Sequence, residues 1–236
     1  MKNLFNVSVV ILLLISTSCM FDGVKGNRNV ITQSRTVSSD FDEISVSHGI
    51  EVRLTISDVP SLSLEADENL HDLIITEVED GVLRIYSEKN IWSAKSRKIY
   101  LSTSNIVKIK ASSGSNVISE NTISTDELEV NTSSGADVNL TVDVSNLTCN
   151  TSSGSVAKLK GATGSFNASS SSGSDIKADE LTAKTCIANV SSGANISVFV
   201  TEKLDANASS GGDIKYFGDP EHVEKNSSSG GKIRNK

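Results

Sequence analysis

A chain of 236 residues with a net charge of −7, 37% hydrophobic residues and only 4% aromatic ones can fill one sizeable core or one elongated repeat domain, but lacks the rings that usually fill a compact core. No basic stripe runs through it, which argues against a nucleic-acid partner, and its mild acidity serves solubility. Two prolines are too few for a Pro-rich disordered chain, and regularly spaced apolar residues argue for order despite the abundant Ser, Asn, Thr and Gly.

The N-terminus reads as an address. Lys2 precedes an apolar run from Leu4 to Ile15, broken by Asn6 and Ser8, and Ser16-Thr17-Ser18-Cys19 follows. A charged start, a short apolar stretch and small residues make a secretory signal, too short for the roughly 20 residues of a spanning helix. The run LLLISTSC resembles a bacterial lipoprotein lipobox, with Ser16 where the common pattern has Leu. That resemblance implies a signal peptide over 1–18, lipid on Cys19, a tether over 19–33, and the membrane as a partner. The expected address is the bacterial cell envelope, as an outer-membrane lipoprotein facing either side. The alternative is a soluble secreted protein with an incidental cysteine.

Residues 34–236 read as one all-β domain. In 34–105 the strand pattern is irregular. Phe41, Ile44 and Val46 precede His48-Gly49, and Ile50, Val52, Leu54 and Ile56 follow; Val82, Leu83, Ile85, Ile99 and Leu101 continue the pattern. Residues 69–74 predict a single helical turn. These features suit early coils or a capping sheet, because an open solenoid end exposes unpaired backbone. Trp92, in a polar stretch near Tyr86 and Tyr100, is either a loop anchor or a ligand contact.

From 106 to 236 the chain repeats. Ser-Gly recurs at Gly114, Gly135, Gly154, Gly173, Gly193, Gly211 and Gly230, spaced 18 to 21 residues apart. Five before these glycines stand Ile109, Val130, Cys149, Ala168, Ala188, Ala206 and then, breaking the pattern, Lys225; three after stand Val117, Val138, Ala157, Ile176, Ile196, Ile214 and Ile233. Apolar residues at alternate positions mark strands. Asn131, Asn150, Asn189, Asn207 and Asn226 fall four before the glycine, on the opposite parity. One strand–turn–strand unit of about 19–20 residues suits one coil of a β-solenoid, stacked at about 4.8 Å with shared ladders of like residues. The glycine marks a bend at positive φ or a close backbone approach, and His48-Gly49 reads as its diverged copy. Cys149 and Cys186 then lie two coils apart, roughly 9–10 Å, too far for a disulfide.

The runs FDEISVSHGIEVRLTIS, GVLRIYS, SSGSDIKA and SSGGDIKYFGDPEHVEKNSSSGG together resemble the auto-transporter adhesin, or head GIN domain, family of Bacteroidetes lipoproteins, from about Val37 to Lys236. The resemblance implies a right-handed parallel β-helix and, more loosely, an adhesive role.

Catalytic chemistry is not legible. Ser134, Ser153, Ser172, Ser192 and Ser210 precede glycines, but a nucleophile needs a partnered base that converges on one atom. His48, His71 and His222 occupy unrelated settings and read as surface histidines. The repeated serines read as hydroxyls that stack and hydrogen-bond between coils. Gly230-Gly231-Lys232 lacks the rest of a phosphate loop. Asp137, Asp175 and Asp213 follow repeat glycines by two residues, a calcium-like echo, but they are not on consecutive coils, whereas calcium needs several oxygens around one ion. No metal or cofactor is expected. Three functions remain: a non-catalytic binding or adhesion module, with a glycan or envelope or host surface component as ligand; a structural or stress-linked envelope protein without ligand; and a polysaccharide-active β-helix enzyme.

Overall fold

The computed structural model describes residues 23–36, 38 and 40–236; Cys19 and the signal peptide expected over 1–18 lie outside them. The strands in chain order are β1 (Gly23–Lys25), β2 (Val30–Arg35), β3 (Glu43–Val46), β4 (Glu51–Ile56), β5 (Ser61–Asp67), β6 (Ile74–Glu79), β7 (Val82–Ser87), β8 (Asn90–Ser93), β9 (Arg97–Thr103), β10 (Lys108–Ala111), β11 (Asn116–Ser119), β12 (Ile123–Thr132), β13 (Asp137–Thr151), β14 (Val156–Ser170), β15 (Asp175–Val190), β16 (Asn195–Ala208), β17 (Asp213–Phe217), β18 (His222–Ser227) and β19 (Lys232–Asn235). They stack into a β-solenoid of about seven turns.

Each regular coil is built by one turn and one bend. In the turn Ser153 and Gly154 both take positive φ, 52° and 71°, and the Ser155 amide donates to the Ser152 carbonyl at 3.2 Å. Two central residues at positive φ make a type I′ turn, used here to turn a corner rather than to close a hairpin, since each flanking strand pairs with the neighbouring coils and not across the turn. An added Cβ on Gly154 would meet nothing within 4 Å, so this glycine answers to backbone conformation and not to space. The Gly154 amide also donates to the Ser172 carbonyl of the next coil at 3.2 Å, so corners are laddered as the strands are. The bend lies inside the long strands. In β13 burial alternates from Asp137 to Val144, fails at the exposed pair Ser145-Asn146, and resumes at Leu147. In the next coil Gly161, the register partner of Val142, takes a φ of 110°, and a Cβ there would overlap the Val142 carbonyl oxygen.

The register is in step from coil to coil. Val130 pairs with Cys149, Cys149 with Ala168, and Ala168 with Ala188. The inner parity forms one narrow column of Val, Ile, Leu and Ala, with Phe166 its largest fully buried side chain. Cys149 and Cys186 are free and buried, and burial pushes both thiols up to about 12. Such thiols behave as small apolar fillers. At the C-terminal end β18 is exposed throughout. There the pattern-breaking Lys225 lays its ammonium over the Tyr216 ring, 4.6 Å from the centroid, so a cation shields the last core layer.

The first half is both coils and cap. Ser47-His48-Gly49-Ile50 is a true copy of the corner: His48 and Gly49 have φ of 61° and 68°, and the Gly49 amide donates to the Ser113 carbonyl at 3.0 Å. The order of coils is not the order of the chain. The β3–β4 coil pairs on one side with β10 and β11 and on the other with β7 and β9, so β10 reaches across a coil that preceded it. Beyond β7 and β9 the pairing turns antiparallel, through β6 on one face and β5 then β2 on the other. The helical turn expected within 69–74 is a 3₁₀ turn at Glu68–Leu70.

Two expectations change. The tether drawn over 19–33 is, from Gly23 onward, folded: β1 pairs with β8, and β2 pairs antiparallel with β5 from Val30 to Arg35. The open edge of β5 needs partners for its amides and carbonyls, and residues before 34 supply them. His71, expected at the surface, is buried. Its ring meets the carbonyls of Ile31 and Ala66 at 3.2 and 3.3 Å and Gln33 Oε1 at 3.2 Å, which ties β2 to the 3₁₀ turn.

Candidate functional site: an axial polar groove

Parity places one row of each coil outward, four residues before the corner glycine. Stacked, that row reads Ser45, Lys110, Asn131, Asn150, Ser169, Asn189, Asn207 and Asn226. Beside it runs the turn row, from Ser112 and Ser133 to Ser209 and Ser228. Between the rows lies a groove of about 1170 Å³ along the solenoid axis. Seven coil-to-coil steps make it roughly 34 Å long, at about 4.8 Å each.

The asparagines form a ladder. Asn150 Nδ2 donates to Asn131 Oδ1 at 3.0 Å, Asn207 to Asn189 at 3.2 Å, and Asn226 to Asn207 at 3.1 Å. Each amide has two donor hydrogens and two acceptor lone pairs, so these bonds fix the orientation of the row and leave groove-facing capacity. Ser169 interrupts the ladder at mid-length. At one end Asn131 donates to Glu129 Oε1 at 2.6 Å. That bond and the Lys108 ammonium lower the Glu129 carboxyl below its ordinary value, and Lys108 pairs with it at 2.7 Å.

The groove lining has no carboxylate and no aromatic ring; its charged members are Lys110 and Lys225, near its two ends. On a chain of net charge −7 this is a neutral, hydrogen-bonding strip with a cation towards each end. The row two residues further out carries Lys108, Glu129 and Asp205, so the charges stand beside the strip.

The corner serines are not the interlocking hydroxyls expected of them. Ser134, Ser153, Ser172, Ser192 and Ser210 are exposed, because positive φ turns their Cβ out of the coil. The buried hydroxyls are their neighbours. Thr132 Oγ1 and Ser155 Oγ lie 2.9 Å apart, Thr151 donates to Ser170 at 2.8 Å, and Ser170 and Ser174 hydroxyls meet at 2.9 Å. These bonds line the corner from inside and stiffen the groove wall.

The other candidates fall elsewhere. Asp137, Asp175 and Asp213 share one register row but are separated by Val156 and Asn195. Asp175 accepts from Asn195 Nδ2 at 2.7 Å and Asp213 pairs with Arg234. Among the described residues no cluster of three or more His, Cys, Asp or Glu could hold a metal ion. His48 sits at its corner with Nδ1 2.8 Å from Ser47 Oγ, and His222 is exposed on β18. Trp92 is not part of the groove lining; it lies on β8 in the N-terminal cap. It is 64% exposed, donates its indole N–H to the Gly23 carbonyl at 3.0 Å, and carries the Lys25 ammonium 5.7 Å from its ring. The asparagine row was visible in the sequence, but not that it forms a groove. Its signal is an outward row of amides beside a row that carries charges.

Fold and groove together define a parallel β-solenoid with an extended polar face and a mixed antiparallel cap. The family model described as "Putative auto-transporter adhesin, head GIN domain" matches residues 40–220, and the chain belongs to that family. It is similar to a solved structure titled "putative adhesin" from Bacteroides fragilis, 23% identical, with a TM-score of 0.85 over 91% of this chain and 100% of that one. A "Putative lipid binding protein" from Parabacteroides distasonis is 26% identical, with a TM-score of 0.75 over 90% and 99%. A "putative adhesin" from Parabacteroides merdae is 22% identical, with a TM-score of 0.74 over 91% and 99%. The comparison with curated proteins found no match. The family and two of these neighbours carry the description "putative adhesin" and the third that of a lipid binding protein, which suggests a binding or adhesion module of the cell envelope or surface.

Proposed function

We propose that this protein is a non-catalytic binding module of the bacterial envelope, anchored through lipid on Cys19 to the outer membrane, and that the axial groove is its binding surface. The observation that carries this reading is the uncharged row of amides and hydroxyls from Asn131 to Asn226, repeated coil by coil for roughly 24 Å. A periodic strip of donors and acceptors matches a linear, polar, weakly charged polymer lying along the axis, and a polysaccharide chain has that chemistry. Binding would rest on hydrogen bonds and bridging water more than on stacking. Many weak contacts along one chain suit adhesion, in which avidity grows with the number engaged. An acyl chain is a poor occupant, because it would strip water from these amides without replacing their bonds.

The test is retention of the full-length protein on an array of neutral and acidic polysaccharides, beside the double variant Asn150→Leu, Asn189→Leu. Both changes lie on the outer parity and spare the core. Retention of the parent on one polysaccharide class and its loss in the variant is the expected result. No retention on any polysaccharide would favour a structural envelope protein. Equal retention of both proteins would move the binding surface off the groove, and turnover of an acidic polysaccharide would favour the enzyme.

A further inference from the structure

We propose that the N-terminal end of the solenoid, centred on Trp92, is a membrane-docking surface for anionic lipid headgroups; the proposal rests on the anchoring reading above for its orientation, not for its chemistry. β1 and β8 form a two-stranded parallel sheet apart from the solenoid sheet, with Gly23 opposite Asn90 and Lys25 opposite Ser93. This pairing sets Trp92 beside the first described residues. Cys19 precedes Gly23 by four residues, a reach of at most about 14 Å, so a lipid there brings the bilayer to Trp92.

The chemistry of the patch is that of an interface. Trp92 is the largest exposed apolar side chain among the described residues, and its N–H is already satisfied by the Gly23 carbonyl. A ring with one satisfied polar handle and an apolar face suits the headgroup layer. The surrounding charge is basic on an acidic protein. Lys25 stands over the ring and Lys89 beside Asn90. Arg28 and Lys95 are brought together because both backbone amides donate to the buried Asp67 carboxylate, each at 2.9 Å. All four side chains are exposed, and among the described residues none of them forms an ion pair. Among the exposed side chains the cations still outnumber the acids: Asp67 is buried on amides, which leaves Glu68, accepting from Asn27 and Asn29, and Glu88 beside Lys89 as the exposed carboxylates against these four cations. Clustered exposed cations near an anchor add attraction to anionic lipid that salt weakens.

The chain has a single tryptophan, so its emission reads this surface alone. Full-length protein is mixed, at low ionic strength, with vesicles of phosphatidylcholine and phosphatidylglycerol whose acyl chains carry bromine near the headgroup. The same sample is assayed by mass spectrometry for a fatty acid on Cys19. The expected result is a blue shift and quenching of the emission, with quenching about tenfold weaker in the double variant Lys25→Glu, Lys89→Glu, which leaves Trp92 in place. Quenching in a sample whose Cys19 is unmodified upholds the docking surface and overturns the anchor alone. Unquenched emission, whatever the state of Cys19, overturns the docking surface, as does an emission that responds to soluble polysaccharide but not to vesicles.

Discussion

Two glycines of one coil separate the conformational role of glycine from its steric role. Gly154 sits at the type I′ corner with open space around its α-carbon, whereas Gly161 sits where a Cβ would overlap the Val142 carbonyl of the coil below. Gly154→Ala should therefore cost only the left-handed backbone penalty, about 1–2 kcal/mol; its neighbour Ser153 already bears that conformation at a φ of 52°. Gly161→Ala adds overpacking against a paired strand, about 1–3 kcal/mol, to a backbone strain of about 1–3 kcal/mol, for a total near 4 kcal/mol. For a domain of this size 1 kcal/mol moves the melting temperature by about 2–4 °C. The expected losses are then about 2–8 °C for Gly154→Ala and about 8–16 °C for Gly161→Ala, read by circular dichroism at the β-sheet band with urea unfolding as a second measure. Equal losses would refute the reasoning, since they would mean that the corner glycine is also held by packing.

Inner and outer parity make a second test: Val138→Asp places an unpaired charge in the column and should cost several kcal/mol, whereas Asn139→Asp on the exposed side should cost little, and similar urea midpoints would contradict the alternation. Ser155→Ala removes a buried hydroxyl that meets Thr132 and accepts the Ser152 amide, so a loss of about 1 kcal/mol is expected; Ser153→Ala, at the exposed corner, should leave the melting curve unmoved. Burial alone would raise the Asp67 carboxyl, but amide donors from Ser96, Arg28 and Lys95, aided by the Arg28 charge, lower it on balance. Its folded value is therefore below its unfolded one, so its stabilisation is present above the ordinary carboxylate range, about 4, and is lost as pH falls through the lowered value. Asp67→Asn should accordingly melt earlier at pH 7 and narrow its gap to the parent in acid; a gap independent of pH between 7 and 2 would refute the assignment.

The sequence by itself determined the coil. Alternation at every second residue fixes which side chains enter the column, and the even spacing of Ser-Gly fixes where the chain turns, because a type I′ corner needs two successive positive-φ residues and glycine supplies one without strain. It also determined that Cys149 and Cys186 would be separate fillers, and that His48-Gly49 would repeat the corner. Tertiary structure alone decided what lies between distant segments. The β3–β4 coil is inserted between the coil of β7 and β9 and the coil of β10 and β11, and 23–35 is drawn into the cap. Neither is periodic, and pairing partners far apart in sequence leave no local mark. His71 is buried because β2 folds over it, which nothing near residue 71 foretells. The groove shows the same division: the row of asparagines is a fact of parity, but its concavity comes from how each corner stands against the arm beside it, and only stacked coils create that relation.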